Sequence, residues 1–241
     1  MIVVNFLIRL IKITLITFFT TTILAVVLFK VMPVWFTPLM FIRCYEQAEA
    51  GKDITLHHRW IPASEIPDDM ARAVMASEDA KFTEHHGFDF DAIQKAAEHN
   101  RHSDKKHGAS TISQQTAKNV FLWPGRSWLR KGLEMYFTVL IEFVWGKERI
   151  MEVYLNSIEM GDGIYGIAAV AQYHFEKTPQ ELSRRECALI AATLPNPRKF
   201  SSKTPSDYMR KRQRIITNGI KFIEKKNRKE REERKKSTND N

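Results

Sequence analysis

The chain has 241 residues, 44% of them hydrophobic, and a formal net charge of +9, which is room for one good-sized domain with appendages. The charge is local: thirteen Lys/Arg against four Glu fall between Arg210 and Lys236, so the rest is balanced and a nucleic-acid-binding face is not expected. Two cysteines, Cys44 and Cys187, make no disulfide framework and lack metal-ligand spacing.

The first element is the uncharged run ITLITFFTTTILAVVLF, seventeen residues from Ile13 to Phe29. It sits at the short end of the roughly 17–25 residues that cross a bilayer as a helix. Its threonines can return hydrogen bonds to their own helix, so they do not forbid insertion. The A-x-A-like stretch at Ala48-Glu49-Ala50 lies too far downstream for signal cleavage, which favours an uncleaved anchor over residues 13–30. Arg9 and Lys12 precede it and Lys30 follows, a thin positive-inside bias. It places residues 1–12 in the cytoplasm and the body on the periplasmic side of the inner membrane.

Residues 31–53 follow as an interfacial segment. Pro33 and Pro38 break the apolar run, and Trp35 and Phe36 suit a headgroup layer. A short β-like piece, ITLHHRWIP, leads to Pro62. Met70, Ala73, Val74 and Ser77 then keep a helical stripe behind the acidic start "PDD". Glu98–Ser110 reads as a polar loop, and a helix is expected from Thr111 to about Phe121. Trp128, Leu133, Phe137, Leu140, Ile141 and Val144 form another stripe, interrupted at Gly146. A helix with Ile150, Met151, Tyr154 and Leu155, a turn at GDGIYG, and the helical segments GIAAVAQYHF and RRECALIAATL complete the body. Strand-like alternation is scarce and no repeat is present, so the fold class expected is mainly α. The basic tail suits anionic lipid headgroups and equally a solvated or frayed helical end.

The segment SEDAKFTEHHG (Ser77–Gly87) holds Asp79, Glu84, His85 and His86, all metal-ligand types. Neighbouring histidines on a helix point to different faces, and no H-E-x-x-H or H-x-x-E-H pattern is present, so no metal site is expected. Carboxylate chemistry is the other reading: Glu78 here and Glu134 on a later helix suit glycosyl transfer, although surface acids would look the same. GASTISQQTAKN (Gly108–Asn119) opens on small residues and runs into a helix. Free N–H groups at its start, with Ser110, Thr111, Gln114, Gln115 and Lys118, would suit a phosphate or pyrophosphate. In RKGLE, Arg130 and Glu134 lie one helical turn apart on one face.

Together these motifs resemble the biosynthetic peptidoglycan glycosyltransferases of family 51, in their monofunctional, membrane-anchored form. In order they are E-D-x-x-F-x-x-H-x-G (Glu78–Gly87), G-x-S-T-I-x-Q-Q-x-x-K-N (Gly108–Asn119), R-K-x-x-E (Arg130–Glu134) and K-x-x-I-x-E-x-Y-L-N (Lys147–Asn156), with a closing helix before LPNP (Leu194–Pro197). Thr116 stands where an apolar residue is usual, and His86 fills a variable slot. The likeness covers about Ile54 to Ile223, which sets a glycosyltransferase domain at 54–223 and a charged tail at 224–241.

The resemblance implies a lysozyme-like, two-lobed α domain behind a single transmembrane helix. It implies polymerisation of lipid II for cell-wall biogenesis and cell shape. Glu78 would be the general base for the acceptor 4-hydroxyl, and Glu134 would sit by the donor. Ser110, Thr111, Gln114, Gln115, Lys118, Asn119, Arg130 and Lys131 would hold the pyrophosphate, while Asp79, Phe82, His85 and Gly87 shape the site. A divalent cation, magnesium or manganese, would ride on the substrate pyrophosphate. Partners expected are lipid II, the growing glycan, membrane lipids and cell-wall or division proteins. The alternative is a lytic transglycosylase or lysozyme-type hydrolase, which carries Glu-Ser where this chain has Ser77-Glu78 and needs no pyrophosphate cradle. A transpeptidase half is not expected, because the S-x-x-K match at Ser103–Lys106 has no K-T-G beside it.

Overall fold

The computed structural model describes residues 2–103, 107–125 and 127–239. Part of the S-x-x-K match, including Lys106, lies outside the described residues, as do Met1 and the last two residues of the tail.

Helix α1 (Ile2–Val31) starts earlier than the uncharged run, because the apolar residues before Ile13 continue the same helix through Arg9 and Lys12. Among the described residues it is the one helix long and apolar enough to cross a membrane, and most of its side chains face outward. Its last turns are held by the body. Trp145 Nε1 donates to the Val26 carbonyl at 2.7 Å, and Arg149 donates to the carbonyls of Phe29 and Met32. The Phe29 carbonyl is among the last four, which a helix end leaves orphaned. Thr37 then caps α2 (Pro38–Glu49), with Pro38 in the first turn, so this proline starts a helix instead of ending one.

A three-stranded sheet is small and ordered β1-β3-β2: β1 (His57–His58) runs parallel to β3 (Ile164–Tyr165), and β2 (Glu159–Gly161) antiparallel to it. Asn156 ties the β1 region to the helical core. Its side chain accepts from the Ile61 N–H and donates to the Ile61 carbonyl, both at 2.9 Å.

The helices carry the fold. Helix α3 (Asp68–Glu78) buries the expected Met70, Ala73 and Val74 against α9 (Arg184–Ala191) and α10 (Asp207–Asn239). Helix α5 (Ile112–Phe121) packs on α6 (Trp128–Val144) and α7 (Gly146–Ser157). Gly146, at φ +74, makes the break between those two that the sequence reading placed there. Helix α8 (Gly166–Phe175) buries Ile167–Ala171 without a gap. Cys187 on α9 is fully buried and its thiol is pushed up to about 12 by that burial.

Two expectations change. Helix α4 (Phe90–His102) occupies the first part of the expected loop; none of its residues is buried, so it leaves no apolar stripe to read, and Asp89 starts it by capping the Ala92 N–H at 2.9 Å. Trp128 opens the α6 stripe in sequence but is 94% exposed. Helix α10 runs unbroken across the 223/224 boundary, because Lys, Arg and Glu are good helix formers and no Gly or Pro follows Gly219.

Candidate active site

Glu78 is the last residue of α3, half-buried at the rim of a cleft of about 270 Å³ that Asp79, Lys81, Asp89, Lys95, Ser110 and others line. Both its carboxylate oxygens are engaged. Ser77 Oγ donates to Oε1 at 2.9 Å, and Gln115 Nε2 donates to Oε2 at 3.2 Å. Gln115 is held in turn by Tyr154, whose hydroxyl donates to its Oε1 at 3.1 Å. Burial first, then the negative charges of Glu78 and Asp79, keep the Tyr154 hydroxyl protonated by raising its pKa. Tyr154 thus belongs to the site although only its motif, not its chemistry, marked it in sequence.

Asp79, beside Glu78 on the cleft wall, is tied into the protein by its carboxylate. It is buried, His85 Nε2 lies 3.0 Å from each of its oxygens, and the Ile112 N–H donates to Oδ2 at 3.0 Å. The start of α5 is therefore closed from inside. Thr111 and Gln114 complete it as a capping box, the Thr111 N–H reaching Gln114 Oε1 at 3.0 Å and the Gln114 N–H reaching Thr111 Oγ1 at 3.2 Å. Three of the N–H groups at this helix start, those of Thr111, Ile112 and Gln114, are taken by protein acceptors. Thr111, Gln114 and Asn119 are all buried, whereas Ser110 is exposed on the cleft.

Gly87 turns the chain at φ +93, and a Cβ there would stand 2.9 Å from Thr138 Cγ2. Its carbonyl accepts from Thr111 Oγ1 at 2.6 Å, which joins the first motif to the second. Phe82 is buried with the Lys147 ammonium 4.5 Å above its ring and His85 edge-on beside it. Lys147 also pairs with Glu142 at 2.6 Å, and Ser113 Oγ donates to the same carboxylate. His86 is exposed and makes none of these contacts, and among the described residues no three His, Cys, Asp or Glu side chains are grouped to hold a metal.

The cations gather around Glu134. That carboxylate is 3% exposed and accepts from Arg130 Nη1 at 2.8 Å and Lys131 Nζ at 2.5 Å. The i, i+3 and i, i+4 spacing on α6 makes the arrangement local. Arg130 Nε and, on α5, Asn119 Nδ2 are buried without a hydrogen-bond partner among the described residues. Lys118 stands within electrostatic reach of both Glu134 and Glu78. Burial is the largest influence on it and lowers its pKa; Arg130 and Lys131 push the same way, and the two carboxylates oppose them. The result is a half-buried ammonium between two acids, with two more cations behind it. Such a set can take a proton at Glu78 and receive concentrated negative charge at Lys118.

Comparison with known proteins covers the same elements. The family model described as Transglycosylase matches residues 47–221. A protein of Bacteroides thetaiotaomicron named biosynthetic peptidoglycan transglycosylase is 56% identical over 211 residues, 88% of this chain and 85% of that protein. Proteins of the same name from Bdellovibrio bacteriovorus and Caulobacter vibrioides are 51% identical over 203 residues (84% and 81% of the two chains) and 53% over 194 (80% and 82%). The match runs from α2 into α10 and takes in every helix that lines the cleft: the chain belongs to the transglycosylase family.

Proposed function

We infer that this chain is a peptidoglycan glycosyltransferase that polymerises lipid II into glycan strands. The observation that carries the reading is the pairing of one positioned carboxylate, Glu78, with a separate cluster of three cations, Lys118, Arg130 and Lys131. Glycosyl transfer from a lipid pyrophosphate needs both. An alcohol is a poor nucleophile at neutral pH, so Glu78 takes the proton of the acceptor 4-hydroxyl as its oxygen attacks the anomeric carbon of the growing chain. The bond from that carbon to undecaprenyl pyrophosphate breaks, its electrons leave with the pyrophosphate, and the sugar centre inverts. Lys118, Arg130 and Lys131 stabilise the charge that collects on the leaving group, with Ser110 at the cleft edge. Glu134 holds two of these cations by direct ion pairs.

Thr111, Gln114 and Asn119 serve by shaping α5, and Asp79, Phe82, His85 and Gly87 by holding the Glu78 loop against it. A magnesium or manganese ion, if the reaction uses one, enters with the substrate pyrophosphate. The relatives named above are biosynthetic by name, and they lend no support to the glycan-cleaving alternative.

The substrate's polyprenyl tail stays in a bilayer, which gives α1 its role as a single-pass anchor in the inner membrane, with the catalytic body on the periplasmic side. Exposed Trp35 and Phe36 after α1, and Trp128, Leu129, Val139 and Phe143 along α6, supply apolar surface for the same membrane. Incubating the purified protein with lipid II in detergent tests the assignment: glycan polymer on a gel supports it. Release of anhydro sugars from finished glycan, without polymerisation, overturns it.

A further inference from the structure

The base is held from a second side by the C-terminal helix. Arg212 on α10 is half-buried, and its Nη2 donates to Ser77 Oγ at 3.1 Å. Ser77 Oγ lies 2.9 Å from Glu78 Oε1 and 3.3 Å from the Ala191 carbonyl. Arg212 Nε is buried without a hydrogen-bond partner among the described residues, so the guanidinium's one polar contact in that direction is this serine. We propose that Arg212 is a positioning residue for the transfer reaction, acting through Ser77 to hold the Glu78 carboxylate aimed at the cleft. This rests on the reading of Glu78 as the general base.

The hydrogen-bond inventory gives the device its direction. A serine hydroxyl has one hydrogen and two lone pairs, while a guanidinium can only donate. With Arg212 occupying a lone pair, the Ser77 hydrogen must go to Glu78 or to Ala191. An ionised carboxylate is the stronger acceptor and is also the nearer one. Once Glu78 has taken the acceptor's proton, its pull on the hydroxyl weakens and the Ala191 carbonyl offers the alternative. Ser77 thus favours the base before proton transfer and can release it afterwards. The other charged or titratable groups facing Glu78 are Lys118 from α5, Tyr154 from α7, its neighbour Asp79, and Lys81, Asp89, Asp91 and Lys95 around the cleft.

The test uses the full-length protein in detergent with lipid II and follows kcat and KM against pH. Ser77→Ala and Arg212→Gln should each lower kcat about tenfold at neutral pH, the size expected for one hydrogen bond to a charged group. KM should stay within about twofold, and the acidic limb of kcat should move to higher pH, because the ionised base has lost a donor. The double variant should be no slower than Ser77→Ala alone, since Arg212 works through that hydroxyl. Arg212→Lys should restore part of kcat and of the limb.

Additive losses in the double variant, or an unmoved acidic limb in folded Ser77→Ala and Arg212→Gln proteins, would overturn the proposal. Full activity of Glu78→Gln would instead overturn the reading of the base itself, so the two failures are distinct.

Discussion

Asp79 Oδ2 accepts the backbone N–H of Ile112 at 3.0 Å, so the acid next to Glu78 closes the helix that carries Gln115 and Lys118. This bond, with those from Gln115 to Glu78 and from Thr111 to Gly87, ties the end of α3 to the start of α5. The carboxylate also sits at the positive end of α5 and pairs with His85. Asp79→Ala removes all three interactions inside the protein and leaves a buried imidazole and amide unpartnered. The expected loss is about 2–4 kcal/mol of stability, read by thermal or denaturant unfolding in detergent. Asp79→Asn keeps an acceptor for Ile112 and should lose less than half of that.

Gly87 is required by its backbone and its space together. At φ +93 any side chain is strained, and a Cβ would press on Thr138 Cγ2 at 2.9 Å. Gly87→Ala should cost about 1–3 kcal/mol of stability and reduce polymerisation, because the same turn presents the carbonyl that holds Thr111. Unfolding midpoints of the two proteins side by side would show it.

Lys118 should separate activity from stability. Burial, followed by Arg130 and Lys131, lowers its pKa in the folded protein below the ordinary 10.5. The unfolded chain therefore binds the extra proton more readily between those two values, and stability rises with pH across that window. At neutral pH the charged form is a net burden on the fold. Lys118→Met should thus unfold at an equal or higher temperature than the parent while its turnover falls at least about a hundredfold. Parent kcat should also decline on the alkaline side below the pH at which a free lysine titrates.

The helices that bury an apolar face were readable as periodic stripes: Met70, Ala73 and Val74 on α3, and Ile150, Tyr154 and Leu155 on α7, are where the spacing put them. Residues 98–102 close a helix that buries nothing, so their polar character reads as loop, and α10 continues past Ile223, where the family likeness stops. The motifs marked residues that folding brings together, since Glu78, Gln115, Lys118, Arg130 and Glu134 meet from three helices. What spacing could not give was direction. Thr111 and Gln114 have the chemistry of ligand-binding groups, yet they face each other across a cap. Ser77 and Arg212 lie 135 positions apart with no motif joining them, and only folding makes them neighbours.

Replacing Glu78 with Gln tests the central claim most directly. The substitution keeps size and leaves an oxygen able to accept from Ser77 or Gln115, but removes the base. The initial rate of lipid II polymerisation, followed on a gel with the folded parent alongside, should fall by about a hundredfold to ten-thousandfold. Polymerisation by folded Glu78→Gln protein at the parent rate would contradict the assignment of Glu78 as the group that takes the acceptor's proton.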